Sequence, residues 1–165
     1  MSEITITRQE LLELWHGFPV LANLRGFKLG YAVARTKAKL RPEIEALDEA
    51  LKPDAAFQKY EERRMELCRK YVQKDPQGNP VVSGNEFVFG ENREAFDAEM
   101  VPLQVEYAGT IEERKKQIAD YSDGLKEKIT VEVHQIAPVD VPEDATVGQV
   151  DVLYRLIKAE EQKTF

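Results

Sequence analysis

Polar and apolar residues alternate in Glu3-Ile-Thr-Ile6, which predicts a short opening strand. Thr7-Arg-Gln-Glu10 follows as a capping box: the Thr7 hydroxyl can accept from the Glu10 amide while the Glu10 carboxylate reaches back. A short helix should then carry Leu11, Leu14 and Trp15 on one face and end at Gly17 and Pro19. Residues 20–51 read as a longer helix. In it Gly26, Gly30, Ala34 and Ala38 recur every fourth residue as a stripe of small side chains. Helical glycine costs about 1 kcal/mol relative to alanine. The stripe therefore predicts close approach of another backbone, from this chain or from a second copy. Ile44, Leu47 and Leu51 continue an apolar face, and Pro42 predicts a kink or a break.

Pro53-Asp54 separates this run from a third helix, over about 54–74, with Phe57, Tyr60, Arg64, Leu67 and Tyr71 at 3-4-3-4 spacing. The turn residues Asp75-Pro-Gln-Gly78 stop it. Two short apolar runs around Gly84-Asn85 predict a hairpin. Asn92 should cap the longest helix, over about 93–128. Its stripe is Phe96, Met100, Leu103, Tyr107, Ile111, Ile118, Tyr121 and Leu125, and Pro102 is expected to bend it or delay its start. Residues 129–136 alternate as a strand, Pro138 and Pro142 mark a loop, and Thr146-Val-Gly-Gln149 is a second capping box. The last helix has Val150, Leu153, Leu156 and Ile157 on its apolar face. These elements predict one domain over 1–165 of the α+β class, mostly α. Long antiparallel helices would carry a small β-hairpin or sheet at one end. The strands at 3–6, 80–83, 86–89 and 129–136 are expected to join in that one sheet. Helices with few apolar positions per turn also suggest burial completed by a homo-oligomer.

Composition sharpens this picture without supplying a chemistry. The 165 residues are 32% charged and 42% hydrophobic, as in a folded domain. The net charge of -7 is unevenly spread. Residues 1–41 hold seven Lys/Arg against three Glu, and the remainder 16 basic against 27 acidic groups. That balance argues against long-range attraction to DNA or RNA. No apolar run approaches the roughly 20 residues of a membrane span. Met1-Ser2-Glu3 opens no signal peptide, so a cytoplasmic location is expected.

No reactive constellation stands out. His16 and His134 have no Cys or His at metal-ligand spacing, and the single cysteine, Cys68, reads as a buried small hydrophobe. Gly26-Phe-Lys-Leu-Gly30 fits neither the dinucleotide nor the P-loop pattern. The pairs Glu61-Glu62, Glu112-Glu113 and Glu160-Glu161 are adjacent on helices and point apart, as solvated faces do. A binding role is expected rather than catalysis, with no cofactor and no metal.

The most informative cluster is basic and aromatic. Lys28, Arg35 and Lys39 share a helical face with Tyr31 between them and Arg25 ahead of them, and Tyr60, Arg63, Arg64 and Tyr71 lie on the next helix. Antiparallel packing of the two helices would make an Arg/Tyr groove for a small anionic ligand such as a nucleotide signal. The competing reading pairs these cations with Glu43, Glu45, Glu61 and Glu62. Arg64 is distinctive because its spacing puts it on the apolar stripe, where a guanidinium needs a carboxylate or a ligand.

Phe27-Lys-Leu-Gly-Tyr-Ala-Val-Ala-Arg35, with Leu40, Glu43 and Glu45-Ala-Leu47 after it, resembles uncharacterised small helical proteins of tailed bacteriophages and prophages. Phe57-x-x-Tyr60-Glu-x-x-Arg64, Lys74-Asp-x-x-Gly78-x-Pro80, Phe96-x-x-Glu99 and the Thr146-x-x-Gln149 ending are similar as well. Pro42 departs from that pattern, standing where such chains continue a helix. The resemblance implies a viral or prophage origin, hence host cytoplasm, and supplies no activity. The resulting expectation is an accessory protein that binds a host or viral protein, in virion assembly or against a bacterial defence system. The alternative is sequestration of the anionic ligand above.

Overall fold

The computed structural model describes residues 1–158. In chain order these form β1 (Ser2–Thr7), α1 (Arg8–Gly17), α2 (Phe27–Leu51), α3 (Ala55–Tyr71), β2 (Val82–Ser83), β3 (Glu86–Phe87), α4 (Arg93–Glu106), α5 (Ala108–Gly124), β4 (Lys128–Val133) and α6 (Val147–Leu153). The chain is α+β and mostly α, as the periodicities predict. Glu160-Glu161 lies outside the described residues. The elements pack as two units, residues 1–51 with the segment from 121 onward, and residues 52–120.

In the first unit both capping boxes form. Glu10 N donates to Thr7 Oγ1 at 3.1 Å, and Thr7 N donates to Glu10 Oε2 at 2.8 Å. Thr146 and Gln149 repeat the exchange at the start of α6, at 3.4 and 2.9 Å. β1 and β4 pair antiparallel, with Ile4 opposite Val131 and Ile6 opposite Ile129. Period-two alternation then turns Ile6, Val131 and Val133 into the core. Leu11 and Leu14 of α1, Leu29, Leu40 and Ile44 of α2, and Leu153 with Leu156 fill the rest of it.

One expectation for α2 is corrected and two are narrowed. The helix starts at Phe27 rather than near residue 20. Residues 18–21 form a 3-10 turn, and Gly26 has φ of 128°, which no helix tolerates. It runs unbroken through Pro42, whose exposed position lets solvent reach the carbonyl left without an N–H partner. Among the described residues the small-residue stripe meets no backbone of this chain: a Cβ at Gly30 would touch nothing within 4 Å, and Ala34 and Ala38 are exposed. A glycine in close contact is Gly17, where an added Cβ would lie 2.8 Å from the side-chain atom Val152 Cγ2.

In the second unit α3 and α4 run antiparallel. Tyr60 meets Tyr107 at one end and Tyr71 meets Phe96 at the other. Asp54 caps α3, accepting from Phe57 N at 2.7 Å. The hairpin forms around Gly84, whose φ of 61° suits its turn, and closes on Gln73 through bonds from Val81 N and to Val88 O. It remains a separate two-stranded sheet, so the single small sheet expected from the strand pattern does not form. The expected 93–128 helix is also divided. It continues through Pro102 without a break and is interrupted at Tyr107, where φ is -103° and ψ 19°. Its apolar stripe serves two cores. Phe96, Met100, Leu103, Tyr107 and Ile111 pack in the second unit, Tyr121 and Leu125 in the first, and Ile118 between them is left 47% exposed.

Candidate functional site

The basic and aromatic residues singled out by the sequence fall into two sets, one in each unit. In the first, α2 presents Lys28, Tyr31, Arg35 and Lys39 at its surface, with Arg25 just before it. Lys28 Nζ lies 3.1 Å from Asp140 Oδ1. Lys39 pairs with Glu132 of β4, and that hydrogen bond holds the Glu132 carboxyl below its ordinary range. Tyr31 stacks on Phe27 at 6.0 Å and meets the His134 ring edge-on at 5.5 Å. The carboxylates that engage this face are thus Asp140 and Glu132, brought from far along the chain. Among the described residues Glu43 and Glu45, the partners expected from proximity in sequence, do not pair with it.

In the second unit, α3 turns Arg63 and Arg64 to different surroundings, as a 100° step between neighbours requires. Arg63 bonds Glu106 Oε1 at 2.7 Å and lies 5.5 Å over the Tyr107 ring, contacts that raise its already high pKa further. Arg64 forks onto Glu61, Nε to Oε1 at 3.0 Å and Nη2 to Oε2 at 2.8 Å. Among the described residues this is the one pairing expected from the sequence that forms. The Glu61 bond stabilises the guanidinium charge more than its partial burial disfavours it. Tyr60, 6% exposed, has its hydroxyl pKa raised chiefly by burial.

Tyr60 and Arg64 line an open cleft of about 740 Å³. Its floor is apolar: Cys68, Phe89, Phe96 and Met100 are all buried. The Phe89 and Phe96 rings stack at 4.1 Å, and the Arg93 guanidinium lies 5.7 Å over Phe89. Arg93 also bonds Asp97 at 3.1 Å. The rim therefore alternates in sign, with Arg64 and Arg93 already neutralised by Glu61 and Asp97, and Glu86 beside them. Such a surface can hold an apolar side chain on its floor and polar groups of either sign around it.

Sequence reading missed the part that the hairpin and α4 contribute. Arg93 stands at the first position of its helix, and no local pattern separates it from an ordinary surface residue. Phe89 carries the hairpin's alternation, which marks it as apolar but not as a neighbour of Phe96. Cys68 is buried and free, as expected. Among the described residues, no group of three or more His, Cys, Asp or Glu could hold a metal ion, and no helix is long and apolar enough to cross a membrane. No family model, curated protein or solved structure matches the chain.

Proposed function

We propose that this protein is an accessory protein of a tailed bacteriophage or prophage that acts by binding a host or viral protein partner, in virion assembly or against a bacterial defence system. The viral origin rests on the sequence resemblance. The binding role rests on one observation, the open cleft of the second unit with its apolar floor and charge-alternating rim. Because both arginines are neutralised by carboxylates of their own helices, the cleft offers little net attraction for an anion. It suits an apolar anchor of a partner protein, with adaptable Met65 and Met100 beside rigid aromatic rings.

Native mass spectrometry of the protein purified from phage-infected or lysogenic cells tests this reading. A retained polypeptide that is lost with Val101→Glu, a change at an exposed position lining the cleft, is the expected result. A bound polypeptide unaffected by that change places the contact elsewhere and sinks the cleft reading. A second reading, sequestration of a small anionic ligand such as a nucleotide signal, is favoured by Arg64 and Arg93 lining one cavity. A retained small anion that is lost with Arg64→Ala would replace the protein-partner reading with that one.

A further inference from the structure

We propose that the outer stripe of α6 is a docking surface for a basic amphipathic helix of a partner protein. Burial defines the stripe. Leu153, and Leu156 just beyond the helix, are fully buried in the first core, and Val152 packs on Gly17. On the other side Val147, Val150 and Tyr154 follow at spacings of three and four residues, 88%, 37% and 75% exposed. Tyr154 keeps the helical path, with φ of -51° and ψ of -40°, so all three fall on one line. Val20, 50% exposed, is held beside the first turn by a bond from Gln149 Nε2 to its carbonyl at 3.1 Å. Single apolar side chains on a surface are ordinary, but a stripe of them marks a contact site.

Charge selects the occupant. Glu143 and Asp144, in the turn that leads into α6, are exposed, and so is Asp151. Asp151 comes one residue after Val150 and three before Tyr154, so it flanks the stripe. Within the described residues none of these three carboxylates forms an ion pair. Arg155, the nearest cation in sequence, is occupied by Glu10 at 2.9 Å. The rim is therefore negative, and it disfavours most surfaces that could cover an apolar stripe. Anionic lipid headgroups and nucleic-acid phosphates are repelled. A second copy of the chain is repelled too, since it brings the same three carboxylates and a net charge of -7. Residues 159–165 of the chain itself, with Glu160 and Glu161 against Lys163, also carry like charge. A helix with an apolar stripe flanked by Lys or Arg meets both requirements. Its apolar side chains would cover Val147, Val150 and Tyr154, and its cations would face Asp151, Glu143 and Asp144. Neither the cleft of the second unit nor a phage origin enters into this assignment.

The test is fluorescence anisotropy of a labelled synthetic peptide of leucine and lysine, its leucines at helical spacing, titrated with the full chain at physiological salt. The chain should bind this peptide and not the same peptide with glutamate in place of lysine. Val147→Ser combined with Tyr154→Ser should weaken binding by more than about tenfold, through lost apolar contact. Asp151→Lys should weaken it about tenfold, because an attraction becomes a repulsion. Glu62→Lys makes the same change in net charge at an exposed position of the second unit and should leave binding unaltered. Val101→Glu, in the cleft, should leave it unaltered as well. All five positions are exposed, so each variant should keep the circular dichroism of the parent. Failure of the intact chain to bind the lysine peptide overturns the proposal. Equal weakening by Glu62→Lys and Asp151→Lys does so too, since the peptide would then be reading overall charge. A dimer of the intact chain in light scattering that Tyr154→Ser abolishes would give the stripe to a second copy and likewise overturn it.

Discussion

Thr36 is the one buried polar residue among those described, at 0% exposure in the middle of α2. Its Oγ1 accepts from His134 N at 2.9 Å, just past the end of β4. That bond ties the helix to the strand where the strand ladder has run out of partners. Thr36→Val keeps the shape and the β-branch, so it opens no cavity and changes helix propensity little. What it removes is the acceptor, leaving the His134 N–H facing a methyl group. Stranding a buried donor costs about 1–3 kcal/mol. His134 is only half-buried, so some water can reach the amide, and the lower half of that range, about 1–2 kcal/mol, is expected. For a chain of this size that lowers Tm by about 3–8 °C. Urea unfolding followed by Trp15, the single tryptophan and part of the same core, reads the loss. Amide exchange at His134 locates it. Thr36→Ser is the control: it gives up a methyl but keeps the acceptor, so stability falls while the His134 amide stays protected. If Thr36→Val unfolds within about 0.5 kcal/mol of the parent and leaves that amide as slow to exchange, the bond does not hold helix to strand as argued.

Leu153→Ala removes a side chain at 0% exposure and should cost about 2–5 kcal/mol in urea unfolding; a loss below about 1 kcal/mol would mean α6 is not a full part of the first core. Thr7→Ala breaks the capping box at α1 and should cost about 1 kcal/mol, measured the same way. Among the described residues four carboxyls are held below their ordinary range: Glu10 by the Thr7 backbone N–H and by Arg155, Glu99 by Lys70 and Tyr71, Asp75 by Asn79, and Glu132 by Lys39. A carboxyl whose pKa is lower folded than unfolded stabilises above its unfolded value, and that stabilisation disappears as pH falls through the folded one. The urea midpoint should thus decline on acidification below about pH 4, where unfolded carboxyls take up protons, and Glu99→Gln should make the decline shallower. A midpoint that stays flat down to pH 3 contradicts this.

Much of the fold was legible because local chemistry decides it. Thr7 with Glu10, and Thr146 with Gln149, satisfy backbone groups within one turn, so four residues suffice to announce each helix start. The alternation over 129–133 and the Gly84 turn are similarly short-range. Stripes along α3 and α4 named the residues of the second core, and Arg64 was marked by its place on one of them. The Glu61 that neutralises it is only three residues away. Other outcomes depended on residues distant in sequence. Asp140 and Glu132, rather than neighbouring glutamates, engage Lys28 and Lys39 because the chain's return through β4 brings them there. Arg93 joined the candidate cleft because the hairpin sets Phe89 against Phe96 beneath it.

By itself, then, the sequence determined where α1, α3, α4 and α6 begin, which face of the helices is apolar, and the mostly helical class. These follow from hydrogen bonds and side-chain periodicity that act within one or two turns. Tertiary structure alone decided which apolar stripe meets which. It divided the 93–128 run between two cores, kept the two strand pairs apart, and left the glycine and alanine stripe of α2 facing outward while Gly17 took the close contact with Val152. The physical reason is that burial is non-directional: an apolar face specifies that it must be covered, and only the packed chain specifies by what.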